Sequence, residues 1–152
     1  MNWEEYKQKK DAQKFFRQGN DMYLSTEQWM KTISGGLLGA ILLGIVHGAL
    51  TMATMWNFSF LYIVVGYAIA NIVTSISGVT SRQMGLTSAI LTFISFFVSE
   101  YTMICSVFSV IGLSMKTMIQ IIVPAFIGLF NSGILTLIFI VVGVFVAYQQ
   151  AE

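Results

Sequence analysis

The sequence predicts an all-α protein: a polytopic transmembrane helical bundle of four spans, with an N-terminal amphipathic helix and an interfacial segment before the last span. The chain of 152 residues is 56% hydrophobic and only 10% charged, whereas a soluble domain usually carries about 25% charged residues. Between positions 33 and 148 the charged residues are Arg82, Glu100 and Lys116. We therefore expect residues 33–148 to form one domain whose solvent is the lipid bilayer.

The first predicted span covers residues 33–55, a stretch with no Lys, Arg, Asp or Glu. At the rise of an α-helix it is about 34 Å long, enough to cross the roughly 30 Å hydrocarbon core of a bilayer. Ser25 and Gln28 have the spacing of a capping box, which predicts that the helix begins near Thr26. Small residues recur at every fourth position of this span: Gly36, Ala40, Gly44 and Gly48.

The second predicted span covers residues 58–77 and has its own stripe of small residues: Gly66, Ala70 and Thr74. The link from the first span is short, so the two helices are predicted to be antiparallel neighbours. Small residues allow two helix backbones to approach closely in lipid. We therefore expect the two stripes to face each other in a close-packed hairpin.

The third predicted span begins at Leu86, and the position of its end depends on Glu100. A carboxylate in the middle of a bilayer costs on the order of a few kcal/mol or more. An end near Tyr101 is therefore favoured, which gives a span of residues 86–101. The alternative is an end near Phe108, which requires a partner for Glu100.

Residues 102–130 are apolar but carry a polar helix face, formed by Lys116, Thr117 and Gln120. This pattern predicts an amphipathic or re-entrant segment at the membrane interface, interrupted at Pro124. The alternative is an additional span, which would give five.

The two ends of the chain are more polar than its middle. Residues 1–32 mix charges of both signs with aromatic residues, which indicates either an amphipathic helix on the membrane surface or a frayed cytoplasmic leader. The last predicted span covers residues 132–148, and a polar tail follows at residues 149–152.

The basic residues predict the orientation of the spans. Six of the eight precede Ile33, which places the N-terminus in the cytoplasm by the positive-inside rule. The first apolar run begins only at residue 33 and is longer than the core of a signal peptide. We therefore expect this run to remain in the protein as a span.

The sequence contains no phosphate-binding loop, dinucleotide fingerprint, zinc-protease motif or nucleophile elbow. Cys105 is the single Cys and His47 the single His, so neither an internal disulfide nor a Cys/His metal cluster can form. Acidic residues balance the basic ones, which argues against a nucleic-acid-binding surface. We predict no catalytic residue, no cofactor and no metal site.

Two ionisable residues are candidates for a site inside the membrane. His47 lies 14 residues into the first span and Glu100 lies 14 residues beyond Leu86. Both are therefore about 21 Å from the inner edge of the bilayer. One hypothesis is that they face each other, form a hydrogen bond and exchange a proton, since ionisable groups within spans are often functional. The alternative is structural: a satisfied pair, or Glu100 at the outer surface and His47 bonded to a backbone carbonyl.

Three further features lie within residues 35–148. The segment YIVVGYAIAN (residues 62–71) precedes an inner loop with Gly and Ser, and the third span ends in Ser-Glu-Tyr (residues 99–101). A long amphipathic segment then precedes a final helix that ends in Ala-Tyr (residues 147–148). In these features the chain resembles a widespread set of uncharacterised bacterial membrane proteins with four spans. The resemblance implies four spans in a bacterial cell membrane and no defined activity.

Two functions are compatible with these features. The first is a non-enzymatic membrane component that packs with itself or with another membrane protein, as the stripes of small residues indicate. The second is a small ion or solute transporter or channel subunit that uses His47 and Glu100. A transporter requires a continuous polar path across the membrane, whereas a packing component does not.

Overall fold

The computed structural model describes residues 25–54, 59–109, 115–131 and 133–152. These residues form helices and short links, with no strand among them, so the predicted all-α fold is confirmed. The helices are α1 (Thr26–Thr54), α2 (Leu61–Ser77), α3 (Arg82–Ser109), α4 (Met115–Gln120), α5 (Ile122–Asn131) and α6 (Ile134–Ala151). The amphipathic helix predicted near the N-terminus falls on residues that precede the described ones.

Among the described residues, three helices are long and apolar enough to cross a membrane: α1, α6 and the Arg82–Val107 part of α3. Two further stretches, α2 and Lys116–Asn131, are apolar but shorter. With 17 residues, α2 is about 26 Å long at the usual helical rise. The lengths and compositions of these helices indicate a membrane protein.

Serine caps fix the starts of α1 and α3. The predicted capping box of α1 is confirmed: the Ser25 N–H donates to Gln28 Oε1 (3.1 Å) and the Gln28 N–H donates to Ser25 Oγ (3.2 Å). At α3 the Met84 N–H donates to Ser81 Oγ (3.2 Å). Because Ser81 caps the helix, α3 begins four residues before the predicted start at Leu86.

α3 continues past the favoured end near Tyr101 and reaches Ser109, close to the alternative end near Phe108. Glu100 lies inside this helix and is only 6% exposed. It has a partner there, since the Tyr62 hydroxyl donates to Glu100 Oε1 at 3.4 Å. A hydrogen-bonded carboxyl group costs less to bury than an unpaired one, so the helix need not end at Glu100.

The predicted polar tail of residues 149–152 continues the last helix, because α6 extends to Ala151. The Ala151 side chain is fully buried. Its carbonyl accepts a hydrogen bond from the Ser81 N–H at 3.0 Å. The end of α6 is therefore fixed by a contact with the cap of α3.

α3 is the central helix and contacts α1, α2, α5 and α6. α1 runs parallel to α3, since Gly36 lies against Leu91 and Gly48 lies against Thr102. α2 runs in the opposite direction to both, as its short links to α1 and α3 require.

α6 runs parallel to α2 and antiparallel to α3. Near its start, the hydroxyls of Thr136 and Ser59 are 3.4 Å apart, and Ser59 immediately precedes α2. At its end, Ala151 contacts Ser81. We call these two ends of the bundle the Thr136 end and the Ser81 end. α3 therefore ends, and α6 begins, at the Thr136 end.

The break in the segment between α3 and α6 falls at Ile121, three residues before Pro124. Proline has no N–H and cannot donate to the carbonyl of Gln120, one helical turn earlier. The regular helical hydrogen bonds resume where the Ala125 N–H donates to the Ile121 carbonyl (2.9 Å). α5 then packs on α3 and buries Ala125 and Leu129.

The small-residue stripe of α1 faces α3. A Cβ atom on Gly44 would lie 2.5 Å from the Ser95 carbonyl oxygen, and one on Gly48 would lie 2.6 Å from the Ser99 carbonyl oxygen. All four members of the stripe are buried: Gly36, Ala40, Gly44 and Gly48. On α3 the matching face is also small and buried: Ser88, Thr92, Ser95 and Ser99.

The small-residue stripe of α2 faces α6 at its Gly66 end. A Cβ atom on Gly66 would overlap the backbone carbonyl of Gly143. Ala70 is buried, while the Thr74 hydroxyl donates to the Ala70 carbonyl within α2 (2.9 Å). The prediction that the two stripes face each other is therefore wrong, because α3 and α6 supply better-matched small faces.

Candidate functional site

Four side chains from three helices meet inside the bundle near the Thr136 end. They are His47 of α1, Tyr62 of α2, and Ser99 and Glu100 of α3. Their exposed fractions are 4%, 2%, 1% and 6%, respectively. We call these four residues the buried polar cluster. It combines two ionisable groups and two hydroxyls in a bundle whose outer surface is apolar.

His47 reaches the cluster because Gly48 and Gly44 bring α1 close to α3. Its Nδ1 atom lies 2.7 Å from Ser99 Oγ, within hydrogen-bonding distance. Its Nε2 atom is buried and has no hydrogen-bond partner among the described residues. An unpaired buried polar atom costs about 1–3 kcal/mol. The ring therefore has one nitrogen available for a further hydrogen bond or a proton.

Glu100 has one hydrogen-bond donor in the cluster, the Tyr62 hydroxyl. The 3.4 Å distance to Oε1 is longer than the usual O–H···O distance of about 2.5–3.0 Å. The ion pair of the described chain is Lys31–Glu27, so within this part of the molecule no Lys or Arg side chain neutralises Glu100. A buried carboxylate without a cation costs on the order of several kcal/mol.

Tyr62 connects the two ionisable residues. Its ring packs edge-on against the His47 ring, with centroids 4.8 Å apart, and against Phe96, with centroids 4.7 Å apart. Gly143 of α6 makes room for it, since a Cβ atom there would lie 2.5 Å from the Tyr62 carbonyl oxygen. The Tyr62 ring thus contacts His47 while its hydroxyl contacts Glu100.

The structure brings His47 and Glu100 into one cluster but gives each a different partner. The hypothesis of a direct hydrogen bond between them does not match this geometry, because Nδ1 of His47 bonds Ser99 and Glu100 bonds Tyr62. Neither of these partners was predicted from the sequence. Ser99 could have been found from the spacing of Ser88, Thr92, Ser95 and Ser99, which places them on one helix face.

α5 closes the cluster on the side of Glu100. Gly128 faces the carboxyl group, and a Cβ atom there would lie 3.6 Å from Oε2, an ordinary van der Waals distance. α4 is attached to α3 nearby, since the Tyr101 hydroxyl donates to the Met118 carbonyl at 3.1 Å. The α4–α5 segment therefore lies next to the ionisable residues, and its Gly128 faces Glu100 Oε2.

The described residues contain no group of three or more His, Cys, Asp or Glu side chains that could hold a metal ion. Comparison of the chain with models of protein families, with curated proteins and with solved structures found no match. The resemblance to four-span bacterial membrane proteins therefore stays a prediction. The function has to be inferred from the buried polar cluster.

Proposed function

We propose that the protein crosses the membrane four times, with α1, α2, α3 and α6 as the spans. α3 ends and α6 begins at the same end of the bundle, so the α4–α5 segment between them need not cross. The excess of basic residues before Ile33 supports a cytoplasmic N-terminus. The Ser81 end then faces the cytoplasm, and the membrane is the bacterial cell membrane that the resemblance implies.

Cysteine labelling should distinguish four spans from five. In a Cys105→Ser background, single cysteines are introduced as Glu27→Cys, Lys116→Cys and Glu152→Cys, all at exposed positions. In intact cells a membrane-impermeant maleimide should label Lys116→Cys and leave the other two unlabelled until the membrane is opened. Labelling of Glu152→Cys from outside would indicate five spans. Labelling of Glu27→Cys from outside would show that the orientation is the opposite of the one proposed.

For its activity, we propose a small ion or solute transporter or channel subunit without enzymatic activity. The observation that carries this proposal is the buried polar cluster, in which His47 Nε2 is unpaired and Glu100 has no basic partner in the described chain. Ionisable groups inside a membrane bundle are costly, and they are usually retained where an ion or proton is handled.

The competing proposal, a component that packs with a second copy or with another membrane protein, has less support. It was motivated by the stripes of small residues. In the bundle, Gly44, Gly48 and Gly66 are used against α3 and α6, so these residues leave no close-packing surface for a partner.

Proton flux into liposomes tests the transporter proposal. Reconstituted protein should accelerate the pH change inside vesicles that carry an imposed potential, relative to empty vesicles, and Glu100→Gln should remove most of this acceleration. The matched control is Glu152→Gln, which removes a carboxylate at the exposed end of α6 and should leave the flux unchanged. Equal flux in the wild type and in Glu100→Gln would contradict the proposal.

A further inference from the structure

We propose that the buried polar cluster is a binding site for a single exchangeable proton, which resides on either Glu100 or His47. This inference rests on the proposed transport function in one respect, since it takes the transported ion to be a proton. The binding itself requires no transport and can be measured separately.

The cluster needs one added positive charge to be electrically neutral. With Glu100 ionised and His47 neutral, the cluster carries one net negative charge in a buried site without a neighbouring Lys or Arg in the described chain. One proton makes the cluster neutral overall, either as a carboxylic acid beside an imidazole or as a carboxylate beside an imidazolium. A second proton would again leave a net charge, which burial disfavours.

The hydrogen bonds leave a place for the proton on each residue. Glu100 Oε1 accepts from Tyr62, while Oε2 faces Gly128. On His47, Nδ1 is engaged with Ser99, and Nε2 has no hydrogen-bond partner in the described part of the chain. In the neutral tautomer whose Nδ1–H donates to Ser99 Oγ, Nε2 carries no proton. Moving the proton from Glu100 to His47 then breaks the O–H bond of the carboxyl group and forms an N–H bond at Nε2. It leaves a carboxylate and an imidazolium and needs no other reactant.

The helices around Glu100 bring few titratable groups close to it. α1 contributes His47 and α2 contributes Tyr62, both members of the cluster, while α5 has no titratable residue in its sequence. On α3 itself, Tyr101 donates to the Met118 carbonyl, and Cys105 follows one turn later. The tyrosine of α6 is at the Ser81 end, and Lys116 of α4 is exposed. Glu100 and His47 are therefore the groups expected to titrate together.

Infrared difference spectroscopy of the full chain, reconstituted in lipid, tests this inference. The wild type should show the C=O stretch of a protonated carboxyl group that disappears as the pH is raised, with one proton released per protein. Glu100→Gln should lose this band, whereas Glu152→Gln should keep it. His47→Gln should increase the amplitude of the band, because the proton then has one place instead of two.

Tyr62→Phe provides a second signature that preserves the packing of the ring. Removal of its O–H donor should move the carboxyl band to higher frequency, since a carbonyl that accepts a hydrogen bond vibrates at lower frequency. The inference is overturned if the band survives in Glu100→Gln, if His47→Gln leaves its amplitude unchanged, or if sodium or potassium chloride removes it at constant pH. A titrating Glu100 band without liposome flux would leave this site intact and refute transport alone.

Discussion

Replacing Gly66 by alanine is expected to destabilise the bundle by about 1–3 kcal/mol, the usual cost of overpacking a close contact. A Cβ atom at this position would overlap the backbone carbonyl of Gly143, which cannot move without shifting α6. Alanine has a higher helix propensity than glycine by about 1 kcal/mol, so a loss of stability would report the tertiary contact. Unfolding in mixed detergent micelles, followed by circular dichroism, measures the change.

Gly35→Ala is the matched control for this prediction. A Cβ atom on Gly35 would lie 2.5 Å from Ile76 Cδ1, the far end of a flexible side chain that can rotate away. We expect this substitution to leave the stability of the protein unchanged or to raise it slightly. If Gly66→Ala were as stable as Gly35→Ala and the wild type, the contact between α2 and α6 would have room for a methyl group, which contradicts the prediction.

The features that the sequence predicted correctly depend on local signals. The start of α1 was predictable because Ser25 and Gln28, three residues apart, satisfy each other's backbone and side-chain groups. The all-α fold was predictable because charged residues are almost absent over more than a hundred positions. Neither feature depends on which helix lies next to which.

The ends of two helices depend on contacts between residues that are distant in the sequence. α6 continues through its polar tail because the Ala151 carbonyl meets the Ser81 N–H, 70 positions earlier in the chain. α3 continues past Glu100 because the Tyr62 hydroxyl reaches this carboxyl group from another helix. Hydropathy and capping patterns contain no information about such partners, so they cannot locate the last residue of either helix.

The candidate site was predictable only in part, for the same reason. His47 and Glu100 stand out because they are ionisable residues in apolar segments. Tyr62 looks in the sequence like any aromatic residue at a membrane interface, and only the bundle shows its ring against His47. The pairing of small-residue stripes also required the tertiary structure, since each of several helices has a small face.

Replacing Tyr62 by alanine is expected to cost about 3–5 kcal/mol, as for other large buried aromatic residues. Tyr62 is 2% exposed and packs against His47 and Phe96. Its loss would leave a cavity between three helices and would remove the hydrogen-bond donor of Glu100. The same unfolding measurement, in detergent micelles, gives the magnitude.

Two further variants separate the ring of Tyr62 from its hydroxyl. Phe96→Ala should leave a comparable cavity without disturbing Glu100, and Tyr62→Phe should cost only about 0.5–1.5 kcal/mol, the net contribution of one hydrogen bond. In a double-mutant cycle, the effects of Tyr62→Phe and Glu100→Leu should not add, because the two residues share one contact and Leu, unlike Gln, offers the Tyr62 hydroxyl no acceptor. If Tyr62→Phe were as costly as Tyr62→Ala, the hydroxyl would be the main contact that holds α2 to α3. Additive effects would instead mean that the 3.4 Å contact contributes nothing to the free energy of unfolding and that another partner stabilises Glu100.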